Sequence, residues 1–406
     1  MRGKLLIISA VAVSCAVFFA SSLRKNNLSK NVEPPPETIE EPSPYKKYGY
    51  NIDEALSKYK NALKNTNTQK VKIYCIGESN TRGEYSSDEV NKSWVGIMKS
   101  SLQNKYGNAG EGFISVYEGA LPSGTNPRWT LGEGWSVSGA KNTIVSNVGG
   151  FGGCFATSAK NASPATLVFT GTDLDLLYSK VTDGGTATVT IDGAEVGTIN
   201  CLGETTSFSH RVSYSGLSNT KHTLIITPNA TASIYIEGAI ALSSTTGIQV
   251  DKIAISSKGA SYFNALSQKK SWDTLAEPNL VLLSFGLNEA ANDVPVEDFK
   301  ANMIDLVTYW QERGSNVCLI PNQKPADTWT TNWAAYVASM YEIADTYNTG
   351  IIDIYKAYFE DYTEAQKQGL FGMGANDYSG GSGTNTGHPS DKGYKYIGEV
   401  VYNNIQ

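Results

Sequence analysis

The longest stretch without a helical pattern lies in the middle of the sequence. Between Asn126 and Leu242, short runs such as ATLVFTG and HTLIITP alternate apolar and polar residues, and turn residues separate the runs. Alternation with a period of two is typical of half-buried strands, and strands at such short spacing indicate a sandwich. Any fold of this chain must therefore contain a β domain, and we predict an all-β sandwich.

Strands and amphipathic helices alternate on both sides of this stretch. Before it, KVKIYCIG predicts a strand, and a helix follows over about Ser93–Gly107. After it, NLVLLSFG and NVCLIP predict strands, with an amphipathic helix over Val296–Arg313 between them. About five strands of parallel type result, which is the pattern of an α/β sheet. We predict a three-layer α/β domain in two parts, residues 47–125 and 249–406, interrupted by a β-sandwich insertion at residues 126–248.

The N-terminal part has the features of an exported protein. Arg2 and Lys4 precede an apolar run over Leu5–Ala20, which is the pattern of an export signal. We predict that residues 1–22 are a signal peptide or a membrane anchor. Residues 23–46 include NVEPPPETIEEPSP, and this Pro/Glu-rich composition predicts an extended tether. The expected location is extracellular or at the cell surface, secreted or attached to the membrane by the N-terminal segment.

Charge and cysteine spacing argue against two kinds of partner. The formal net charge is −6 and the body of the chain has no block of basic residues, so nucleic acid is not an expected partner. No two cysteines have C-x-x-C spacing, so a zinc site is not expected. Cys154 and Cys201 lie in one region and could form a disulfide in an oxidising compartment.

A serine held between glycines follows the first predicted strand. In GESNTRG, Ser79 comes just after the end of KVKIYCIG, and sites in open α/β sheets gather outside the carboxyl ends of strands. A serine nucleophile also needs a base. Of the three histidines, His210 and His222 lie in the predicted sandwich, whereas His388 lies in a polar loop before the last predicted helix. His388 is therefore the candidate base.

Two more loops follow predicted strands and carry residues that suit an oxyanion. AISSKGASY places Gly259 in a turn, where the missing Cβ lets a backbone N–H approach a substrate. LLSFGLNEAAND places Asn288 after a strand, and its side-chain amide is a neutral donor. Either loop alone is a weak indication, but four such loops at strand ends favour an active site.

The order of these loops, GESNTRG, SSKGAS, GLNEA and HPSDKGY, resembles the four sequence blocks of the SGNH (GDSL-like) hydrolase family. The resemblance implies a flavodoxin-like α/β/α sandwich in which Ser79 is the nucleophile and His388 the general base. It also implies an oxyanion hole formed by the backbone N–H groups of Ser79 and Gly259 and the side-chain amide of Asn288. No metal or organic cofactor is expected.

Two positions depart from the family pattern. The usual Gly-Asp-Ser has Glu78 at its second position, and the aspartate that the family places three residues before the histidine is Asn385. An asparagine cannot supply the charge that stabilises an imidazolium. We expect a Ser-His dyad in which a carbonyl orients His388, or else another acid, with Asp377 as the first candidate and Asp391 as a further one.

The resemblance and the export features together predict a carbohydrate O-acetylesterase acting on an acetylated polysaccharide. The family also includes lipases and thioesterases, but the chain has no long apolar lid. The insertion resembles a carbohydrate-binding module, whose aromatic side chains would either contact sugar or pack in the core; the candidates are Trp129, Trp135, Tyr178, Tyr214 and Tyr235. The alternatives are a glycan O-acetyltransferase with the same Ser-His site and a non-catalytic carbohydrate-binding surface protein.

Overall fold

The computed structural model describes residues 43–120, 127–138, 149–373, 376–377 and 387–406, with only the backbone described for residues 376–377. Ser43–Gln406 is one compact unit. The predicted export signal and most of the predicted tether, up to residue 42, lie outside the described residues. Within the described ranges, no helix has the length and apolar character needed to cross a bilayer.

The elements are numbered along the chain. The strands are β1 (Gly49–Tyr50), β2 (Lys70–Gly77), β3 (Gly112–Ser115), β4 (Trp129–Thr130), β5 (Trp135–Val137), β6 (Ala156–Ser158), β7 (Ala165–Gly171), β8 (Asp173–Lys180), β9 (Thr186–Ile191), β10 (Ala194–Asn200), β11 (Ser207–Tyr214), β12 (Thr220–Pro228), β13 (Tyr235–Leu242), β14 (Gly247–Ala254), β15 (Leu280–Ser284), β16 (Asn316–Leu319), β17 (Gly350–Ile352), β18 (Gly372–Met373) and β19 (Asn376–Asp377). The α-helices are α1 (Ile52–Ala55), α2 (Ser57–Leu63), α3 (Ser79–Arg82), α4 (Trp94–Tyr106), α5 (Ala260–Phe263), α6 (Leu266–Trp272), α7 (Leu287–Ala291), α8 (Val296–Glu312), α9 (Trp333–Tyr347), α10 (Ile354–Ala357), α11 (Tyr362–Lys367) and α12 (Asp391–Ile405).

A six-stranded sheet with the order β1-β17-β16-β15-β2-β14 forms the centre of the α/β part. Its strands pair in parallel except for β1, which is antiparallel to β17. Counted one to five along the chain, the parallel strands have the order 2-1-3-4-5, which is the flavodoxin-like order. The predicted fold class is confirmed, and the strand order reverses between β2 and β15.

The register brings three strand ends to one level. Gly77, the last residue of β2, is the direct partner of Ala254 in β14 and of Ser284 in β15. The loops after these strands therefore leave the sheet side by side at the point where the strand order reverses. Ligands of open α/β sheets bind at such a switch point.

Alternate side chains of β2 are buried on opposite faces of the sheet. Ile73 and Cys75 belong to a core formed with α1, α2, α4 and α12. Tyr74 and Ile76 belong to a second core formed with α8 and α9. Burial on both faces explains why the strand sequence is apolar without alternation.

The insertion consists of two antiparallel sheets with the orders β10-β9-β12-β7-β4 and β11-β8-β13-β6-β5. In β7 every second residue is buried, as the alternating sequence predicts for a strand with one face on the core. Strand β3 also pairs with β13 and lies before the boundary at residue 126 that the sequence indicated. We refer to Gly112–Leu242 as the β module.

The β module shares its core with the α/β part. Phe151 packs edge-on against Tyr74 of the central sheet at a centroid distance of 5.4 Å, and Tyr74 contacts Trp310 of α8 at 5.7 Å. The buried Asp251 carboxylate in β14 accepts the N–H of Phe113 in β3 at 2.7 Å. The module is therefore packed against the central sheet through these contacts.

Candidate active site

Backbone crowding explains the glycine at the end of β2. A Cβ on Gly77 would lie 2.2 Å from Thr81 Oγ1 and 2.6 Å from the Ser284 carbonyl oxygen, so no larger residue fits. Ser79 follows directly as the first residue of the one-turn helix α3. Gly83 ends that turn with φ at 95°, a left-handed conformation that favours glycine. The turn presents Ser79 beyond the carboxyl edge of the sheet.

The structure brings Ser79 and His388 together across 309 residues of sequence. His388 Nε2 lies 2.8 Å from Ser79 Oγ, within hydrogen-bond distance. The imidazole contacts the rings of Tyr85 and Trp329 edge-on, at centroid distances of 5.0 and 5.5 Å. Gln323 Nε2 donates to the Gly387 carbonyl at 2.7 Å and so anchors the residue before the histidine. A nucleophile with a base at this distance is the arrangement that acyl transfer requires.

Asn288 lies beside this pair, in the first turn of α7. Its side-chain amide donates to Glu78 Oε2 at 2.6 Å and to the Lys258 carbonyl at 3.2 Å. Both amide hydrogens therefore have acceptors in the absence of substrate. To bind an oxyanion, Asn288 must share or exchange the longer of the two contacts, the one to Lys258.

Gly259 is held by a carboxylate that the sequence analysis did not select. A Cβ on Gly259 would lie 2.4 Å from Glu289 Oε1, so a larger residue here would displace this carboxylate. Glu289 accepts the N–H of Ala260 at 2.6 Å and the N–H of Gly286 at 3.2 Å. Glu289 thus ties the loop that carries Gly259 to the loop that carries Asn288.

Glu78, at the position where the family has aspartate, performs a similar task. It accepts the Asn288 N–H and the Asn322 side-chain amide, both at 3.2 Å, in addition to the Asn288 amide. Burial, followed by the charge of Glu289, raises the pKa of Glu78 well above its usual value. Burial also raises the pKa of Glu289. The sequence marked Glu78 only as a departure from the family pattern and did not mark Glu289, because a carboxylate in a polar loop usually lies in solvent.

The acid candidates have different positions. Asp391 accepts the Ser87 N–H at 2.8 Å and Lys92 Nζ at 2.9 Å, so its carboxylate serves the segment before α4. The backbone of Asp377 pairs with Gly372, and its side chain is not among the described parts. Asn385 lies outside the described residues. A role for Asp377 as the third member of a triad therefore stays a prediction.

A further carboxylate, Glu84, lies close to the histidine. Glu84 Oε2 is 3.9 Å from His388 Nε2, and both side chains are about nine-tenths buried. Ser256 Oγ donates to the same carboxylate oxygen at 2.6 Å. No motif in the sequence pointed to Glu84, because its proximity to His388 arises only when the first and last loops meet.

The remaining histidines lie in the β module with partners of their own. His210 Nε2 is 2.8 Å from Ser207 Oγ, and His222 Nδ1 is 2.6 Å from Asp192 Oδ2. In the described ranges, no group of histidine, cysteine and acidic side chains could hold a metal ion.

The cysteines of the described part are free and buried, Cys154 and Cys201 among them. Burial raises the pKa of the Cys154 thiol to about 12 and that of Cys201 to about 11, which makes both poor nucleophiles. The disulfide that the sequence left open between these two residues is not formed in the structure.

The aromatic candidates of the module divide into two groups. Trp129 is buried and donates from Nε1 to the Ile114 carbonyl at 3.1 Å, so it is a core residue. Trp135, Tyr178, Tyr214 and Tyr235 are partly buried against the same core. Tyr235 also lines a groove together with Phe155 and Phe208. A contact of Tyr235 with sugar stays a prediction.

Comparison with known proteins agrees with this geometry. Residues 239–396, which include Gly259, Asn288 and His388, match the model of the GDSL-like Lipase/Acylhydrolase family. The resemblance to GDSL-like (SGNH) hydrolases seen in the sequence is thereby confirmed for this part of the chain, and the matching family is one of esterases.

Comparison with solved structures supports the fold. One, described as a peptidoglycan O-acetylesterase in action, matches with a TM-score of 0.63 at 17% identity, over 87% of this chain and 96% of that chain. Another, a family two carbohydrate esterase from Clostridium thermocellum in complex with cellohexaose, matches with a TM-score of 0.29 at 12% identity, over 68% of this chain and 97% of that chain. No curated protein gives a significant match. At 17% identity and a TM-score of 0.63, the likeness to the first structure concerns the fold alone.

Proposed function

We propose that this GDSL-like hydrolase is an exported serine esterase that removes O-acetyl groups from a cell-wall or extracellular polysaccharide. The observation that carries the proposal is the 2.8 Å contact of Ser79 Oγ with His388 Nε2 at the switch point of the sheet. The likeness to the peptidoglycan O-acetylesterase structure over 87% of this chain, β module included, supports an acetylated glycan as the substrate.

The first half of the reaction acylates the serine. Ser79 Oγ bonds to the acetyl carbonyl carbon while its proton passes to His388 Nε2. The N–H groups of Ser79 and Gly259 and the amide of Asn288 are the donors for the oxyanion. Each such donor typically contributes ~2.7–4 kcal/mol to lowering the barrier. When the tetrahedral intermediate collapses, the bond to the sugar oxygen breaks and that oxygen takes the proton from His388.

The second half releases acetate. A water molecule gives a proton to His388 Nε2 and attacks the acetyl-serine carbonyl carbon. Collapse of this intermediate returns the proton to Ser79 Oγ and frees acetate. These proton transfers require one base that can face both Ser79 and the incoming oxygen, and His388 has that position.

Acetate release from O-acetylated peptidoglycan and from acetylated xylan tests the substrate class. We expect release from at least one polymer by the wild type and none by Ser79→Ala. Turnover of a small aryl acetate without release from either polymer would contradict the carbohydrate assignment and leave the esterase intact.

The export part of the proposal rests on the N-terminal sequence. The basic residues and apolar run of residues 1–22 support passage across a membrane, and the composition of residues 23–46 supports a tether outside the cell. Fractionation of the producing cells tests this point. Recovery of the protein only from the cytosol would contradict it.

A further inference from the structure

The family has a negatively charged aspartate three residues before the histidine, where this chain has the neutral Asn385. The Glu84 carboxylate supplies a negative charge elsewhere near the histidine. His388 Nε2 faces Ser79 Oγ at 2.8 Å, and Glu84 Oε2 lies 3.9 Å from the same nitrogen. The Glu84 and His388 side chains are only 10% and 9% exposed, so water and salt screen their interaction weakly. An anion at this distance favours the protonated imidazole.

Glu84 is held in place from several elements. Its main-chain N–H donates to the Ser79 carbonyl at 3.0 Å, and its own carbonyl accepts Tyr394 O–H from α12 at 2.8 Å. Ser256, in the loop after β14, donates to the carboxylate at 2.6 Å. The position of the charge is therefore fixed by the fold and does not depend on a mobile side chain.

Two cationic side chains lie near Glu84 and also contact other groups. Arg82 Nη2 lies 3.3 Å from Glu84 Oε2 and also 3.3 Å from Glu89 Oε1, so it divides its contacts between two carboxyl groups. Lys252 Nζ donates to the carbonyl oxygens of Arg82 and Glu89, at 2.9 and 2.6 Å, and so contacts the backbone of this segment. The rings of Tyr85 and Trp329 also pack edge-on against the imidazole.

We propose that Glu84 is a positioning residue that stabilises the imidazolium form of His388 during acyl transfer. The proposal rests on the proposed function, in which Ser79 gives its proton to Nε2 as its oxygen bonds to the carbonyl carbon. At that moment the imidazole becomes positive within 3.9 Å of the Glu84 carboxylate. The charge is released again when Nε2 gives the proton to the leaving sugar oxygen, so Glu84 acts in both proton transfers without exchanging a proton itself.

A measurement of the His388 pKa tests the charge directly. The chain has three histidines, so NMR on histidine-labelled protein can follow each imidazole separately, with His388 assigned through a His388→Gln variant. In Glu84→Gln an anion is removed and the protonated form loses stabilisation, so the pKa of His388 falls by about one unit. The acidic limb of the kcat/KM profile moves to lower pH by the same amount. At the pH optimum kcat falls roughly 10- to 100-fold, with a smaller change in KM.

Two variants separate this effect from a structural one. Asp391→Asn removes a carboxylate that serves Ser87 and Lys92, and it is expected to leave the pKa of His388 unchanged. Glu84→Asp retains the charge on a shorter side chain and is expected to restore part of the pKa and of kcat. If Glu84→Gln does not fold, Ser256→Ala loosens the same carboxylate and is expected to lower the pKa of His388 to a smaller extent.

The outcomes distinguish this inference from the proposed function. An unchanged His388 pKa in folded Glu84→Gln, or in folded Ser256→Ala where that variant replaces it, overturns the role of Glu84 whatever the substrate is. A lowered pKa in an enzyme that releases acetate from no ester supports the interaction and overturns the proposed function instead.

Discussion

In the proposed mechanism, Asn288 is an oxyanion donor that is oriented before substrate arrives. Its amide is fixed at one end by Glu78 at 2.6 Å and touches the Lys258 carbonyl at 3.2 Å. The strong contact sets the orientation, and the weaker one can be exchanged for a developing oxyanion. A donor that is oriented in advance needs little reorganisation in the transition state.

Asn288→Ala should therefore lower kcat by roughly 10²–10³, with a smaller effect on KM. The donor contributes most when the carbonyl oxygen has become negative, which is why binding of the neutral ester changes less. Steady-state kinetics with an aryl acetate give both values. A change in KM alone would assign Asn288 to substrate binding.

The location of a single residue could be predicted from the sequence where that residue follows the end of a predicted strand. Ser79, Gly259 and Asn288 all follow parallel strands, and such loops meet at one edge of the sheet. Glu84 and Glu289 could not be predicted in this way, because their roles depend on partners hundreds or tens of residues away. Their burial and hydrogen bonds exist only in the assembled fold.

Ionisable side chains are buried in and around the segment between α3 and α4. Arg82 Nη2 lies 3.3 Å from Glu89 Oε1 there, and Lys252 donates into the same segment from β14. Burial raises the pKa of Glu89 to about 7, although the charge of Arg82 opposes the rise. The folded protein therefore holds a proton on Glu89 at pH values where the unfolded chain has released it.

This shift predicts a pH dependence of stability. Between about pH 5 and 7 the folded state binds more protons at Glu89 than the unfolded state, so the free energy of unfolding falls as pH rises. Glu89→Gln removes that contribution, and the stability of wild type relative to the variant should decline across this window. Urea denaturation of both proteins at several pH values measures it. A difference that stays constant from pH 5 to 7 would contradict the buried, protonated Glu89.

Helices with a clear apolar face were predictable to within a residue or two. The predicted helices over Ser93–Gly107 and Val296–Arg313 correspond to α4 and α8. Short one-turn helices such as α3 and α5 were not predicted, since four residues carry no periodicity. Ser79 is the first residue of α3 and Gly259 is the N-cap of α5, so the sequence did not predict the detailed geometry of the site.

The molecule as a whole combines a flavodoxin-like sheet with a β module that shares its core. The sequence indicated both parts, since a period of two and a helical period are easily told apart. It did not indicate that β3 belongs with β13, because that pairing joins residues far apart in the chain. The contact of Phe151 with Tyr74 had no signal in sequence for the same reason.

The shared core has a consequence for function. Strand β14 follows the module directly and leads into the loop with Ser256 and Gly259, so the module adjoins the chain segment that carries one of the proposed oxyanion donors.

The most direct test of the account is acetate release from 4-nitrophenyl acetate by wild type and Ser79→Ala, with folding checked by circular dichroism. The account predicts that the variant folds and loses roughly 10⁴-fold or more of the turnover. A control variant, Ser213→Ala, changes an exposed serine of the β module and should leave turnover unchanged. Wild-type turnover in a folded Ser79→Ala protein would contradict the assignment of Ser79 as the nucleophile, and with it the mechanism.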